Sequence, residues 1–487
     1  MAVNPEQLLQ AAVFLPLAGA VLIGLAGSRP DLRETVTLVT AVALFIVICL
    51  LYRSFEQGGQ ATVTLVETLP GLTISFHTEP LGLLFALVAG FLWIVTSIFS
   101  IGYMRGNREH HQTRFYVYFA VALASTMGIA LSANMFSLFI FYEILTLSTY
   151  PLVTHKGNDE AKAAGRVYLG VLLGTSIGLQ LFAMIWTWII TGTLDFTEGG
   201  VFDSRVSETV LLILFTLYIF GIGKAAVMPF HRWLPAAMVA PTPVSALLHA
   251  VAVVKAGVFT VMKVSVYLFG IDTLAAAAAN QWVLLFACAT IIIASVIALG
   301  KDNLKARLAY STISQLSYVV MATVVLAPLT VAGAAIHIAA HAFGKITLFF
   351  AAGSIYTASG KTKVSQLNGI GHKMPWTMTA FTIGSLSMIG VPPAAGFLSK
   401  WYMLQGAWAV ENWFVITIIV ISTLLNAGYF LPIVYAAFFR QADDEDTSSH
   451  GEAPFPIVLA LVLTAAGTVL LFLLPGRLLE LVEAIRL

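Results

Sequence analysis

The chain has 487 residues, 59% of them hydrophobic and only 10% charged, with a mean hydropathy of +0.90. Soluble domains carry about 25% charged residues. Division into soluble units of roughly 150 residues fails here, because apolar runs of about 20 residues, the length that crosses a bilayer as a helix, recur along the whole chain. The net charge of +1 gives no electrostatic case for nucleic acid or an acidic partner. Cys49 and Cys288 each lie inside an apolar run and offer neither a disulfide framework nor metal spacing.

The pattern predicts an all-α polytopic membrane protein with about 14 transmembrane helices. They are expected over 8–27, 35–52, 81–102, 115–132, 135–153, 167–191, 208–230, 244–269, 282–299, 308–327, 331–356, 376–404, 413–439 and 456–474. No basic region precedes the first apolar run, which argues against a cleaved signal peptide. Between the second and third helices, the alternating "ATVTLVETLPGLTISF" reads as a small exposed hairpin. The odd-numbered loops carry sixteen basic residues, whereas the even-numbered loops carry only Arg53 and Arg205. The positive-inside rule then places the odd loops in the cytoplasm and both termini outside a cell (inner or plasma) membrane. The tail "GRLLELVEAIRL" is amphipathic and reads as a helix on the membrane surface or packed on a partner.

Charges inside the spans are few. Of the 24 acidic residues only Glu143 lies deep in a span, and of the 25 basic residues five do: Lys224, Lys255, Lys263, Lys345 and Lys400. His249, His337 and His341 accompany them. An ionisable group at the bilayer centre costs about 2.5–3.5 kcal/mol on insertion scales, so such groups mark ion pathways or satisfied contacts between helices. His337, His341 and Lys345 are spaced by four and share one helical face over about 12 Å, as a proton relay requires. Lys263, near a span end, reads as a snorkelling lysine. For His249 and His337 a structural contact and a relay role weigh equally.

Two spans are broken. Pro229 follows Lys224, and Pro392 and Pro393 interrupt the twelfth span before Lys400. Unwound backbone at membrane depth is tolerated only inside protein or beside a cavity. Two broken helices five spans apart suggest inverted five-helix repeats. The expected division of a single membrane domain, 1–487, is therefore helices 1–3 (1–114), a first repeat (115–270), a second repeat (271–440), and helix 14 with the tail (441–487). "SGKTK" at 359–363 lacks the glycine and the strand of a phosphate loop. No haem, iron–sulfur or nucleotide pattern is present, so no cofactor and no metal site is expected.

Three stretches, "FYEILTLSTYPLV", "GKAAVMPFHRWLPAAMVAPTPVSALLHAVAVVKAGVF" and "HIAAHAFGKITLFFAAGSIY", resemble the antiporter-like subunits shared by respiratory complex I and the multi-subunit Mrp cation/proton antiporters. The resemblance covers about helices 3–13. It implies fourteen helices with broken helices 7 and 12, and a mid-membrane relay with no catalytic residue. In that relay Glu143 would pair with Lys224, Lys255 would be central, His341 and Lys345 would follow, and Lys400 would be terminal. The lysine at 400, the length and the single final helix are most similar to the D-type member of the Mrp antiporters. A pumping subunit of a complex I-type NADH:quinone oxidoreductase or of a membrane-bound hydrogenase is the alternative, and an inert membrane anchor a third reading. The implied partners are other membrane subunits, protons, Na+ in the whole complex, and the lipid bilayer.

Overall fold

A computed structural model describes residues 4–203, 205–442 and 450–485. In chain order the elements are α1 (Pro5–Leu25), α2 (Pro30–Glu56), β1 (Thr62–Leu69), β2 (Leu72–His77), α3 (Pro80–Gly106), α4 (Gln112–Ala130), α5 (Met135–Val153), α6 (Asp159–Thr175), α7 (Leu181–Thr191), α8 (Glu208–Gly221), α9 (Trp233–Ala236), α10 (Thr242–Ala246) and α11 (Val253–Lys263). There follow α12 (Ile271–Ala276), α13 (Gln281–Leu299), α14 (Leu304–Val324), α15 (Pro328–Ser359), α16 (Ile370–Lys373), α17 (Pro375–Ile389), α18 (Ala395–Ala409), α19 (Trp413–Phe439), α20 (Phe455–Leu473) and α21 (Gly476–Glu483).

Eleven helical stretches among the described residues are long and apolar enough to cross a membrane. The other three expected crossings fall on helices outside that set: α8, the polar 21-residue α14, and the interrupted pair α17/α18. This is an all-α polytopic membrane protein. Helix starts are written in the sequence as caps. Asn134 accepts from Ser137 N (2.8 Å), Asn158 from Ala161 N (2.8 Å), Asn303 from Ala306 N (3.0 Å) and Asn412 from Val415 N (3.1 Å).

The hairpin forms where the alternation placed it, β1 pairing antiparallel with β2 from Thr62–His77 to Leu69–Leu72. It is tied to the start of α5. Asn134 Nδ2 donates to the Thr73 carbonyl (3.0 Å), and Ser75 N donates to Ser137 Oγ (2.8 Å).

The core is built around α10–α11 and α15, which are buried almost throughout. α1, α2, α7 and α19 present apolar side chains such as Val39, Ile189 and Leu424 outward, as lipid-facing helices do. The tail helix α21 lies against its own chain, with Leu481 and Val482 buried and Arg477 Nη1 2.7 Å from Glu56 Oε1.

The first break differs from expectation in position. The α-helix of the seventh crossing stops at Gly221, ahead of Pro229, and a 3-10 turn over Gly223–Ala225 leads to Ala226 at φ 55°. Proline bars the helix at the carbonyl four residues before it as well as at its own nitrogen, so Pro229 forbids the turn that contains Ala225. The second break falls where the prolines stand, between Ile389 and Ala395, with Gly390 at φ +88°.

Candidate functional site

Backbone groups freed by the two breaks must find side-chain partners, since no solvent reaches such depth freely. At the first break Lys224 N donates to Tyr142 Oη (3.1 Å), Trp233 Nε1 donates to the Gly223 carbonyl (3.0 Å), and Met228 N donates to Thr290 Oγ1 (3.2 Å). At the second, Gly396 N donates to Ser387 Oγ (3.2 Å), and the Met388 carbonyl accepts from Asn426 Nδ2 (3.2 Å) and Gln315 Nε2 (3.3 Å). Both breaks are thus held as defined loops.

Lys224 is fully buried on the 3-10 turn. Its Nζ donates to the Tyr142 carbonyl (2.8 Å) and Thr146 Oγ1 (2.6 Å) on α5 and lies over the Tyr142 ring. Glu143, the next residue on α5, forms no ion pair with it within 4.0 Å, and neither Glu143 carboxylate oxygen has a hydrogen-bond partner in the chain. The expected pair is therefore adjacent and open, with the lysine parked on the α5 backbone. Glu143 shares the outward side of α5 with Ile144 and Leu147.

Gly257 on α11 packs against this turn so closely that a β-carbon there would meet the Lys224 and Ala225 backbone. Two residues earlier on α11, Lys255 reaches α15. Its Nζ is 2.5 Å from His341 Nδ1, and both residues are fully buried. Two nitrogen bases that share a hydrogen bond hold one proton between them, because one must accept. The His341 ring lies 5.8 Å from the His337 ring, and His337 Nδ1 is 2.8 Å from Ser399 Oγ, the neighbour of Lys400. The second nitrogen, Nε2, of both histidines has no partner in the chain.

Lys345 donates to Ser311 Oγ (2.8 Å) on α14. The Tyr429 hydroxyl lies between Ser311 Oγ (3.1 Å) and Asn426 Oδ1, and Asn426 holds the Met388 carbonyl. One residue further, the Ile389 carbonyl accepts from Lys400 Nζ (2.8 Å), which also donates to Thr423 Oγ1 (3.2 Å). A continuous set of polar contacts therefore ties Lys345 to the second break and Lys400.

His249 sits in a π-helical turn, Leu247–Val251, between α10 and α11. Its ring is 4.8 Å from Phe349, and neither ring nitrogen has a partner in the chain. It lies beside the polar line without a direct bond to it.

Lys263 does not snorkel. It is 1% exposed, and its Nζ is 2.6 Å from Glu79 Oε1. A carboxylate supplied just before α3, from a distant stretch of sequence, removed the need to reach water.

The sequence reading did not single out Thr146, Ser311, Gln315, Tyr429, Asn426 or Thr423. One signal was present: α14, "LKARLAYSTISQLSYVVMATV", is rich in hydroxyl and amide side chains for a span and is buried along most of its length.

The family described as NADH:quinone oxidoreductase/Mrp antiporter, TM, matches residues 132–426, which contain every residue of this polar line except Tyr429. The chain belongs to that family. The NADH-quinone oxidoreductase subunit N of Desulforudis audaxviator is 33% identical over 394 residues, 80% of this chain and 77% of that one. The NADH-ubiquinone oxidoreductase chain 5 of Metridium senile is 33% identical over 473 residues, 93% of this chain and 76% of that one. Among solved structures, a chain of the Mrp complex from Dietzia sp. superposes with a TM-score of 0.87 at 20% identity, covering 99% of this chain and 97% of that one. A chain of the membrane-bound sulfane sulfur reductase, an archaeal respiratory membrane complex, gives 0.86 at 22% identity, covering 98% and 96%. These two share the fold. The protein is thus an antiporter-like membrane subunit of this family.

Proposed function

We propose that this chain is the proton-translocating subunit of a multi-subunit Mrp-type antiporter that exchanges a monovalent cation, Na+, for protons. Its relay runs from Glu143 and Lys224 through Lys255 and His341 to Lys345 and Lys400, with His249 and His337 as side branches. The chain contributes no redox chemistry and acts as a secondary-transporter subunit beside other membrane subunits in the plasma membrane. Both termini face outward, residues 115–270 and 271–440 are the inverted halves, and any Na+ path lies in a partner chain or at the interface with it. Sodium favours several oxygen ligands, by analogy with other hard cations, whereas the deep groups here are mostly lysines and histidines.

The observation that carries the reading is the buried contact between Lys255 and His341. Two titratable bases at hydrogen-bond distance can hand on a proton without moving a charged side chain through lipid. The fold of the Mrp chain from Dietzia sp. supports the antiporter form. The names of the sequence relatives support a second reading, a pumping subunit of a complex I-type NADH:quinone oxidoreductase or hydrogenase.

Membrane vesicles carrying the whole assembly test the choice. Added Na+ should drive proton movement with no electron donor present, and Lys255→Ala should abolish it. Proton movement that requires an electron donor would favour the second reading.

A further inference from the structure

Lys263 lies eight residues beyond Lys255, about 12 Å along the same crossing towards the side of the membrane that carries the hairpin. Its ammonium is paired with Glu79 and walled by the rings of Phe196 (4.0 Å) and Tyr267 (4.9 Å). On its other side Glu79 lines a cavity of about 330 Å³ between the hairpin, the loop around Phe196 and the end of α21. Among the described residues, the titratable groups that face this cavity and the pair, from every element around it, are His77, Glu79, Glu198, Tyr267, Glu483 and Lys263. Glu79 and Glu483 set against Lys263, with His77 held below its ordinary range mainly by burial, make the cavity attractive to cations. A buried ion pair is a weak source of stability. This one stands between an open acidic cavity and the helix that carries Lys255.

We infer that the cavity is a proton port on the hairpin side and that Glu79 and Lys263 are its exchange station. The inference rests on the relay reading above. A hydronium ion in the cavity gives its proton to the Glu79 carboxylate, which breaks the ion pair. The Lys263 ammonium, left buried without its counter-charge, passes a proton inward along α11 to the Lys255 amine. The proton on Glu79 then moves to the Lys263 amine, and both charges are restored. One proton enters and one leaves in each cycle, and the reverse sequence is an exit.

The test uses the whole assembly in membrane vesicles. Exchange is measured per assembled complex while pH is stepped on the hairpin side alone. The unmodified complex should respond to that pH, and a complex indifferent to it would overturn the port. Glu79→Gln should slow exchange at least about tenfold, a barrier change of about 1.4 kcal/mol, and flatten the hairpin-side response, with Glu79→Asp restoring both. Because Glu79→Gln alone strands a buried ammonium, Glu79→Gln with Lys263→Gln is measured too. The double replacement keeps the bulk of both side chains and removes both charges, and should show the same slow, flat behaviour. An assembled double variant with the normal rate, or a slow one with the normal hairpin-side response, would overturn the port. Lys255→Ala in the same assay separates the two claims. Loss of exchange there beside a normal double variant leaves the relay standing without this port, whereas full exchange in Lys255→Ala removes the relay itself.

Discussion

The two broken crossings solve one problem in two ways. At the first, Lys224 is anchored on a different helix, α5, through the Tyr142 carbonyl and Thr146, with the free carboxylate of Glu143 next to it. At the second, Lys400 folds back on its own break through the Ile389 carbonyl and reaches only a hydroxyl, Thr423, on α19. An opposite charge nearby favours the charged forms of both partners, so the first lysine can be switched by moving a carboxylate. Among the described residues Lys400 forms no ion pair within 4.0 Å; its ammonium is held by the Ile389 carbonyl and the Thr423 hydroxyl alone. In the proposed relay the same element, a lysine beside unwound backbone, would serve as a charge-controlled end at Lys224 and a hydration-controlled end at Lys400.

The sharpest way to break this contrast is at the first end. Lys224→Ala and Glu143→Ala should each reduce exchange in vesicles to background while the complex still assembles. Normal exchange in Glu143→Ala would remove the charge-controlled half of the comparison. At the second end, Lys400→Ala should slow exchange by about tenfold, or about 1.4 kcal/mol, a smaller loss because Ser311 and Tyr429 still connect Lys345 to the break. An effect equal to that of Lys224→Ala would make the two ends alike.

The breaks themselves should differ from ordinary helix in their tolerance of side chains. A β-carbon on Gly396 would collide with the Ser387 carbonyl, and one on Gly257 with the Lys224–Ala225 backbone. Overpacking of this kind costs about 1–3 kcal/mol. Gly396→Ala and Gly257→Ala should therefore lower the midpoint of thermal unfolding of the purified complex, whereas Gly170→Ala, where nothing lies within 4 Å, should leave it in place.

The smallest effect concerns the end of α5 that follows Lys224's anchor. His155, beyond the helix, is held down to about 4, mainly by burial and then by Arg114. The folded state keeps it neutral, while the unfolded chain takes up a proton below about 6.5. Its burial therefore weakens the fold progressively as pH falls from about 6.5 to about 4 and has no effect above that window. His155→Phe should flatten the acid side of a stability–pH profile slightly and leave it unchanged at pH 7 and above.

Much of this was legible in the sequence, for physical reasons. Apolar run length gave the crossings, alternation gave the hairpin, and Pro392–Pro393 gave the second break. The cost of burying charge singled out Lys255, His341 and Lys345; the fold brings the first two into contact and sets Lys345 against Ser311. The first break lay earlier than Pro229 suggested, because proline acts on the turn before it. Lys263 looked like a residue reaching for water because its partner, Glu79, is 184 residues away in sequence. The hydroxyl and amide groups that complete the line, Ser311, Tyr429, Asn426 and Thr423, carry no insertion cost large enough to stand out one by one. The run of polar side chains on the buried helix α14 marked one of them, Ser311; the other three stand on α19.

The relay stands or falls on the contact between Lys255 and His341. The most direct measurement is Na+-driven proton movement in vesicles for Lys255→Ala, His341→Ala and the double variant, at equal amounts of assembled complex. If the two side chains share one proton within a single path, each single change removes exchange and the double change removes no more. Exchange that survives at the normal rate in either single variant would contradict the account.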